Sequence, residues 1–133
     1  MARTDFDPAT SRPDGRPPMR ERLFDPMVEG PWRGTVEGIS LGGAVTVLAY
    51  GTDTPGAGPR LHVHPYDETF IVVEGRARFF IGDMTLDAAA GDILLGPAGV
   101  PHRFENLGPG RLQTIDIHHS PRWIQTDLDR DEA

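Results

Sequence analysis

The chain contains neither cysteine nor lysine among its 133 residues. Without cysteine there is no disulfide framework and no thiol chemistry, which fits a reducing compartment. The missing lysine leaves all 13 basic charges on arginine, a mark of genome composition more than of mechanism. Long hydrophobic runs are absent as well. No segment approaches the roughly 20 apolar residues of a membrane span, and Met1 to Pro18 lacks the apolar stretch of a secretory leader. The expectation is a cytoplasmic protein with no membrane partner. Positive charge is scarce: the formal net charge is −7, and no basic stripe carries interleaved aromatics, so no nucleic-acid partner is expected. About 27 residues follow Asn106, too few for an added helix-turn-helix module, which argues against a fused transcription factor.

What is present points to β structure. The length suits a single domain with one packed core. The 16 glycines and 13 prolines fall between short apolar runs, a pattern of many short strands and turns. Residues 1–34 differ from the rest, with six of the prolines and few apolar residues before Leu23. They read as an N-terminal arm, mobile to Arg20, with Leu23, Phe24, Met27, Val28 and Trp32 packing on the domain or on a neighbouring subunit. From Thr35 the texture changes. Strands are expected over Thr35 to Ile39, Ala44 to Tyr50, Glu68 to Val73, Arg76 to Ile81, Met84 to Leu86, Asp92 to Leu95, around His102 to Phe104, and Arg111 to His118. Gly82-Asp83 has the composition of a two-residue hairpin turn. The regular spacing suggests an antiparallel sandwich or barrel over 35–126, followed by an acidic tail, 127–133, in which Asp127, Asp129, Asp131 and Glu132 read as a solvated end.

Two short motifs carry the chemistry: Gly56-x5-His62-x-His64-x3-Glu68-x6-Gly75 and Gly91-x5-Pro97-x-Gly99-x2-His102-x3-Asn106. In a strand, residues i and i+2 share a face, so His62 and His64 present two imidazoles to one point. Three neutral nitrogens and one carboxylate suit a divalent transition metal such as Mn, Fe, Co, Ni, Cu or Zn. Gly75 and Gly91 stand where a turn needs positive φ, and Pro97-x-Gly99 bends the chain ahead of His102.

Both motifs resemble the two signature motifs of the cupin family, and every fixed position of the family pattern is matched. The resemblance spans residues 56 to 106, with a gap of fifteen residues between Gly75 and Gly91. It implies an all-β double-stranded β-helix, or jelly roll, with one metal ion held by His62, His64, Glu68 and His102. Four protein ligands would leave a six-coordinate ion two adjacent open positions. The implied function is an enzyme acting on a small oxygen-rich metabolite by metal-centred oxygenation, isomerisation or lyase chemistry, with Glu68 as general base as well as ligand. The alternative is a non-catalytic sugar- or metabolite-binding protein, or an accessory protein of a biosynthetic pathway. Family members of this size often pair through N-terminal strands, so a homodimer is expected.

Around the quartet, four residues are substrate-pocket candidates. Arg60 has the parity of His62 and His64 and either faces the barrel mouth, to pair with an anionic group, or lies on the rim in solvent or a salt bridge. Phe70 and Phe104 line the barrel, Phe104 as packing or as a wall for substrate. Gln113 is polar on an otherwise apolar strand face and is a candidate hydrogen-bond donor. His118 and His119 read either as surface or interface residues or as a proton shuttle at the rim.

Overall fold

Side-chain alternation along Arg76–Ile81 shows how the sheets are made. Ala77, Phe79 and Ile81 turn inward and are buried, while Arg78 turns outward and donates to both carboxylate oxygens of Asp87 on the next strand. Successive strand residues face opposite ways, so each strand sorts its own apolar and charged residues.

The computed structural model describes residues 3–128. Ten strands are found among them: β1 (Gly34–Val36), β2 (Thr46–Thr52), β3 (His62–Val63), β4 (Glu68–Glu74), β5 (Arg76–Ile81), β6 (Met84–Ala89), β7 (Ile93–Gly96), β8 (His102–Asn106), β9 (Leu112–His118) and β10 (Thr126–Asp127). They form two antiparallel five-stranded sheets, ordered β1-β2-β9-β4-β7 and β10-β3-β8-β5-β6. Apart from the β1–β2 and β5–β6 pairs, each connection carries the chain from one sheet to the other. That winding is the double-stranded β-helix, or jelly roll, expected from the sequence. Among the described residues no helix is long and apolar enough to cross a membrane.

The core lies between the sheets. β4 and β9 contribute Phe70, Val72 and Leu112, while β5, β6 and β8 contribute Ala77, Phe79, Ile81, Ala88 and Phe104. The rings of Phe70 and Phe104 flank that of Phe79 with centroids 5.1 and 4.9 Å away. Each such burial is worth roughly 1.5–3 kcal/mol. This cluster fills one part of the barrel, and the polar site occupies the part beside it.

Two glycines set the turns that hold β4, β5 and β6 in place. Gly82 opens the two-residue β5–β6 turn at φ 60°, and Asp83 follows at negative φ, the II′ arrangement that suits twisted strands. Gly75 sits between β4 and β5 at φ 85°, and a Cβ there would stand 2.1 Å from the Arg111 carbonyl oxygen.

The structure departs from the sequence expectation at three places. The strand expected over Thr35 to Ile39 stops at Val36, and Gly38–Leu41 form a single helical turn, α1, closed by Gly42 at φ 72°. Thr46 stabilises this turn: its Oγ1 accepts from the Gly38 N–H at 3.1 Å and donates to the Ser120 carbonyl at 2.9 Å. In the N-terminal arm, Leu23, Phe24 and Trp32 are half-buried, with Phe24 and Trp32 stacked at 4.3 Å. Met27 and Val28, beside the turn closed by Val28 N–H on the Asp25 carbonyl, are exposed, which leaves a neighbouring subunit as the expected surface for them. Finally, Asp127 has the exposed side chain expected of a solvated end, but its backbone belongs to a strand that was not expected. It lies in β10, paired with His62 of β3. Asp129, Asp131 and Glu132 fall outside the described residues.

Gly75 allows a direct test. Gly75→Ala adds a Cβ against fixed backbone at a positive φ, so unfolding in urea should show a loss of about 2 kcal/mol or more with an unchanged slope. A midpoint equal to that of the wild type would show that the turn relaxes freely.

Candidate metal centre

The four motif residues come from facing walls of the barrel. His62 on β3 and His102 on β8 are direct partners in the antiparallel ladder. His64 follows two residues after His62, on the same side. Glu68 is the first residue of β4 in the other sheet, opposite Gly96 of β7 and His118 of β9. One ligand atom from each of His62, His64, Glu68 and His102 lies within 4.8 Å of the other three, and all four residues are buried. Ligands on opposite sides of an ion at roughly 2.1 Å stand about 4.2 Å apart, so the cluster is spaced for a single ion.

Ring orientation is set by the backbone. The Nδ1 of His62 faces the Arg60 carbonyl at 2.6 Å, that of His64 the Tyr66 carbonyl at 3.0 Å, and that of His102 the Val100 carbonyl at 3.2 Å. A carbonyl only accepts, so each Nδ1 carries a hydrogen, and in the neutral ring each Nε2 keeps its lone pair. The Nε2 atoms of His64 and His102 then stand 2.7 and 3.0 Å from the same Glu68 oxygen, Oε1. Lone pairs converging on a carboxylate oxygen make poor neighbours unless a cation lies among them. This donor set, oriented in this way, fits a divalent metal.

Electrostatics favour the liganding forms. Burial lowers the His62 imidazole to about 4, which keeps it neutral near pH 7. Burial alone would raise the Glu68 carboxyl; hydrogens on the facing nitrogens of His102, His118 and His64 would hold it well below the usual carboxylate range, and where those nitrogens keep their lone pairs a cation has to take over that role. Nearby Asp116 shifts the other way. Burial, aided by the charge on Glu68, pushes its carboxyl well above the ordinary value.

The motifs also hold each other. The Gly99 N–H donates to the His64 carbonyl at 3.0 Å, and the Ala98 N–H donates to Asp67 Oδ1 at 2.9 Å. At the far end the Gly56 N–H donates to the Asn106 carbonyl at 2.7 Å, and the Asn106 N–H donates to the Ala57 carbonyl at 2.8 Å. The side chain of Asn106 ties the following loop, donating to Thr54 and Gly110 carbonyls and accepting from the Gly108 N–H. Gly96 stays small for a reason in the site itself: a Cβ there would lie 3.0 Å from the Phe70 ring and 3.3 Å from His102 Nδ1.

A cavity of about 140 Å3 opens onto His62 and Glu68, with Phe104, Asp116, His118 and Trp123 among its walls. Of the four expected pocket residues, Phe104 lines it and the other three do not. Phe70 is fully buried behind the cluster, its ring edge-on to His102 at 5.2 Å. Arg60 has an exposed side chain in a surface groove with Arg103 and Glu105, and its contribution to the site is the carbonyl that holds His62. Gln113 is buried but faces the N-terminal arm: its Oε1 accepts from the Trp32 N–H at 2.8 Å, and its Nε2 donates to the Trp32 and Tyr50 carbonyls. A side chain satisfied by backbone in this way is a strap, not a pocket donor.

His118 lies inside the barrel, beside the cluster. It is 2% exposed rather than a surface group. Its Nδ1 meets the Tyr66 hydroxyl at 2.7 Å and its Nε2 lies 3.2 Å from Glu68 Oε2, while Tyr66 also accepts from the Ile124 N–H at 3.1 Å. His119 stays exposed, bonded to Thr69 Oγ1. The strand parity of β9 held the signal, because His118 is in phase with Thr114 and Asp116, all three of them buried.

Known proteins agree with this architecture. The cupin domain family matches residues 49–118, more than half of the chain, and the protein belongs to that family. Over 69 residues it is 33% identical to an acireductone dioxygenase of Leishmania infantum, covering 47% of this chain and 20% of that protein. A Streptomyces coelicolor protein described as uncharacterized is 41% identical over 44 residues, 33% of this chain and 42% of its own length. The matched regions thus span less than half of either relative. Among solved structures, an oxalate decarboxylase superposes with a TM-score of 0.71 at 24% identity, covering 89% of this chain and 35% of the other. A Bacillus subtilis oxalate decarboxylase with Mn(II) centres gives 0.68 at 22% identity, covering 80% and 30%. These likenesses carry the fold.

The Tyr66 hydroxyl bridges His118 and the backbone at Ile124, so its removal leaves the buried His118 Nδ1 and the part-buried Ile124 N–H short of a partner. Tyr66→Phe should lower stability by about 1–3 kcal/mol in chemical denaturation. A loss under about 0.5 kcal/mol would mean that water replaces the hydroxyl.

Proposed function

We propose that this cupin is a metal-dependent enzyme acting on a small oxygen-rich molecule, by oxygenation or a related isomerisation or lyase step. The observation that carries this reading is the convergence of three imidazole Nε2 atoms and one carboxylate oxygen in a buried cluster that a cavity reaches at His62 and Glu68. An ion held there would supply Lewis acidity toward a substrate oxygen. His62, His64 and His102 hold it through rings locked by backbone carbonyls. Glu68 acts as ligand and, through its second oxygen, as a base that takes a proton from substrate. His118 and Tyr66 steady that oxygen and offer the proton a route away from the centre. Phe104 and Trp123 keep bulk water off the reacting atoms.

The same reading includes a cytoplasmic location and a homodimer. Exposed Met27 and Val28 on the arm, with Ile93 and Leu95 exposed on the edge strand β7, are apolar surface suited to a second copy. Light scattering at micromolar concentration should return twice the 14.6 kDa chain mass, and a monomeric mass would remove that element.

Protein purified without added metal should contain close to one transition-metal ion per chain by elemental analysis. His62→Ala should lose at least tenfold in metal affinity, since one of four ligands is gone. Stoichiometric metal in neither protein would sink the reading at its base. With Fe(II) or Mn(II) bound, oxygen uptake should accompany at least one phenol, enol or diketone in aerobic solution. No uptake with any of them would rule against the oxygenase form.

A further inference from the structure

The outer face of the β1-β2-β9-β4-β7 sheet is apolar where a solvated sheet face is ordinarily polar. Antiparallel partners share a face, so the ladder registers give its rows directly. One row runs Ala49, Ile115, Ile71, Ile93, from β2 through β9 and β4 to β7. The next runs Val47, Ile117, Thr69, Leu95. Neither row carries a charge, and Thr69, the one polar member, is bonded to His119 at 2.8 Å. Exposure is high at the edge strand, where Ile93 is 67% and Leu95 53% exposed.

The opposite sheet supplies a comparison within the same molecule. Its outward rows run Asp87, Arg78, Glu105 and Thr85, Phe80, Arg103. There the Arg78 guanidinium pairs with Asp87, and that of Arg103 lies over the Phe80 ring at 4.1 Å. One outer face is built for water and the other for burial.

Charge and size point to the occupant. The chain's own arm crosses the sheet at Gly34 and Gly51, beside Ala49, and leaves the other end of the rows open. Residues 3–22 are exposed and hold only Phe6 and Met19 as large apolar side chains, too few to cover the face. Each copy carries a net charge of −7, so two copies repel unless they meet through an uncharged surface. A face without charges meets its own copy with no like-charge opposition. The strands β2, β9, β4 and β7 together span roughly 19 by 23 Å, at about 4.8 Å per strand and 3.3 Å per residue. Two such faces, with the relief of their side chains, bury on the order of 1,000 Å2, the size at which an interface becomes specific. Val28 of the arm lines a groove with Val73 at the end of the same face and adds to that area.

We propose that two copies of the chain pack face to face through these rows about a two-fold axis, rather than by exchange of N-terminal strands. The two sheets would lie about 10 Å apart, as in a β-sandwich. This interface rests on the homodimer reading above and names its surface.

Sedimentation of the full chain from nanomolar to micromolar concentration tests it, with wild type expected to be dimeric at the upper end. The double variant Ile93→Glu, Leu95→Glu changes two side chains already exposed in a single copy. It should therefore fold, and it should raise the dimer dissociation constant by about a hundredfold or more, since each carboxylate would be buried unpaired. Met84→Glu, exposed on the edge strand of the other sheet, should leave the constant unchanged. The absence of cysteine allows one spin label per chain, placed by His119→Cys at the rim of the face or by Arg78→Cys on the opposite sheet. Across the dimer, the labels should be closer with His119→Cys than with Arg78→Cys. A monomeric wild type overturns the dimer reading and this interface together, and gives the face to a different protein. A dimer as tight in the double variant as in wild type, or weakened equally by Met84→Glu, overturns the interface alone. So does a longer label distance with His119→Cys than with Arg78→Cys, a readout that stands even if the double variant fails to fold.

Discussion

The pairing of His62 with His102 across β3 and β8 is the contact from which the rest of the site follows. Antiparallel partners point to the same face of a sheet, so two imidazoles separated by forty residues of chain arrive side by side. β3 is only two residues long, and one ladder position with β8 would not hold it. It is held by β10 on its other edge and by bonds from the neighbouring loops, the Gly99 N–H on His64 and the Gly56 and Asn106 backbones on each other. The glycine, proline and asparagine positions of the two motifs thus act as a frame. They fix where the ligand-bearing strand sits, and the carbonyls of that frame fix which way each ring turns.

Placing such a cluster inside a barrel opposes folding. Four polar side chains, with Asp116 and His118 beside them, occupy volume that apolar residues fill elsewhere, and each must find partners or destabilise the fold. The aromatic core of Phe70, Phe79 and Phe104 offsets this on one side, and Phe70 also backs His102 directly. The imidazoles use the carbonyls of residues two positions away in sequence, so no other strand has to supply acceptors. What stays unresolved by protein contacts alone is the meeting of Nε2 lone pairs at Glu68 Oε1, the place where an ion belongs.

The legible part of the site was the part encoded locally. His62, His64, Glu68 and His102 stand at fixed distances from turn residues, and turns are short-range, so spacing alone carries their positions. The strand order was legible only through the family resemblance, because pairing between β2 and β9 or β4 and β9 joins residues some forty to seventy apart in the chain. Of three misplacements, two have that same origin and the third, at Ile39, is local. Asp127 joined β10 through a partner more than sixty residues earlier. Gln113 turned to the arm because Trp32 happens to cross there. Ile39 fell in a helical turn because Gly38 and Gly42 allow the chain to close on itself, which outweighed the β-branched character of the run.

His118 and Asp116 hold the more general lesson about β9. Its sequence offers two alternating sets, Ile115 and Ile117 on one side and Thr114, Asp116 and His118 on the other. Ordinary amphipathic reasoning turns the isoleucines to the core, as P-H alternation normally demands. Here the polar set is the buried one and the isoleucines are half-buried on the outer face. Inversion of that kind is stable only where the interior supplies partners, and for His118 it does, through Tyr66 and Glu68. For Asp116 the partnership is half complete, with Thr114 on one oxygen and nothing on the other. A strand that buries its polar face in this way depends on the neighbouring cluster for its partners, so the inversion of β9 and the His62, His64, Glu68 and His102 grouping stand or fall together.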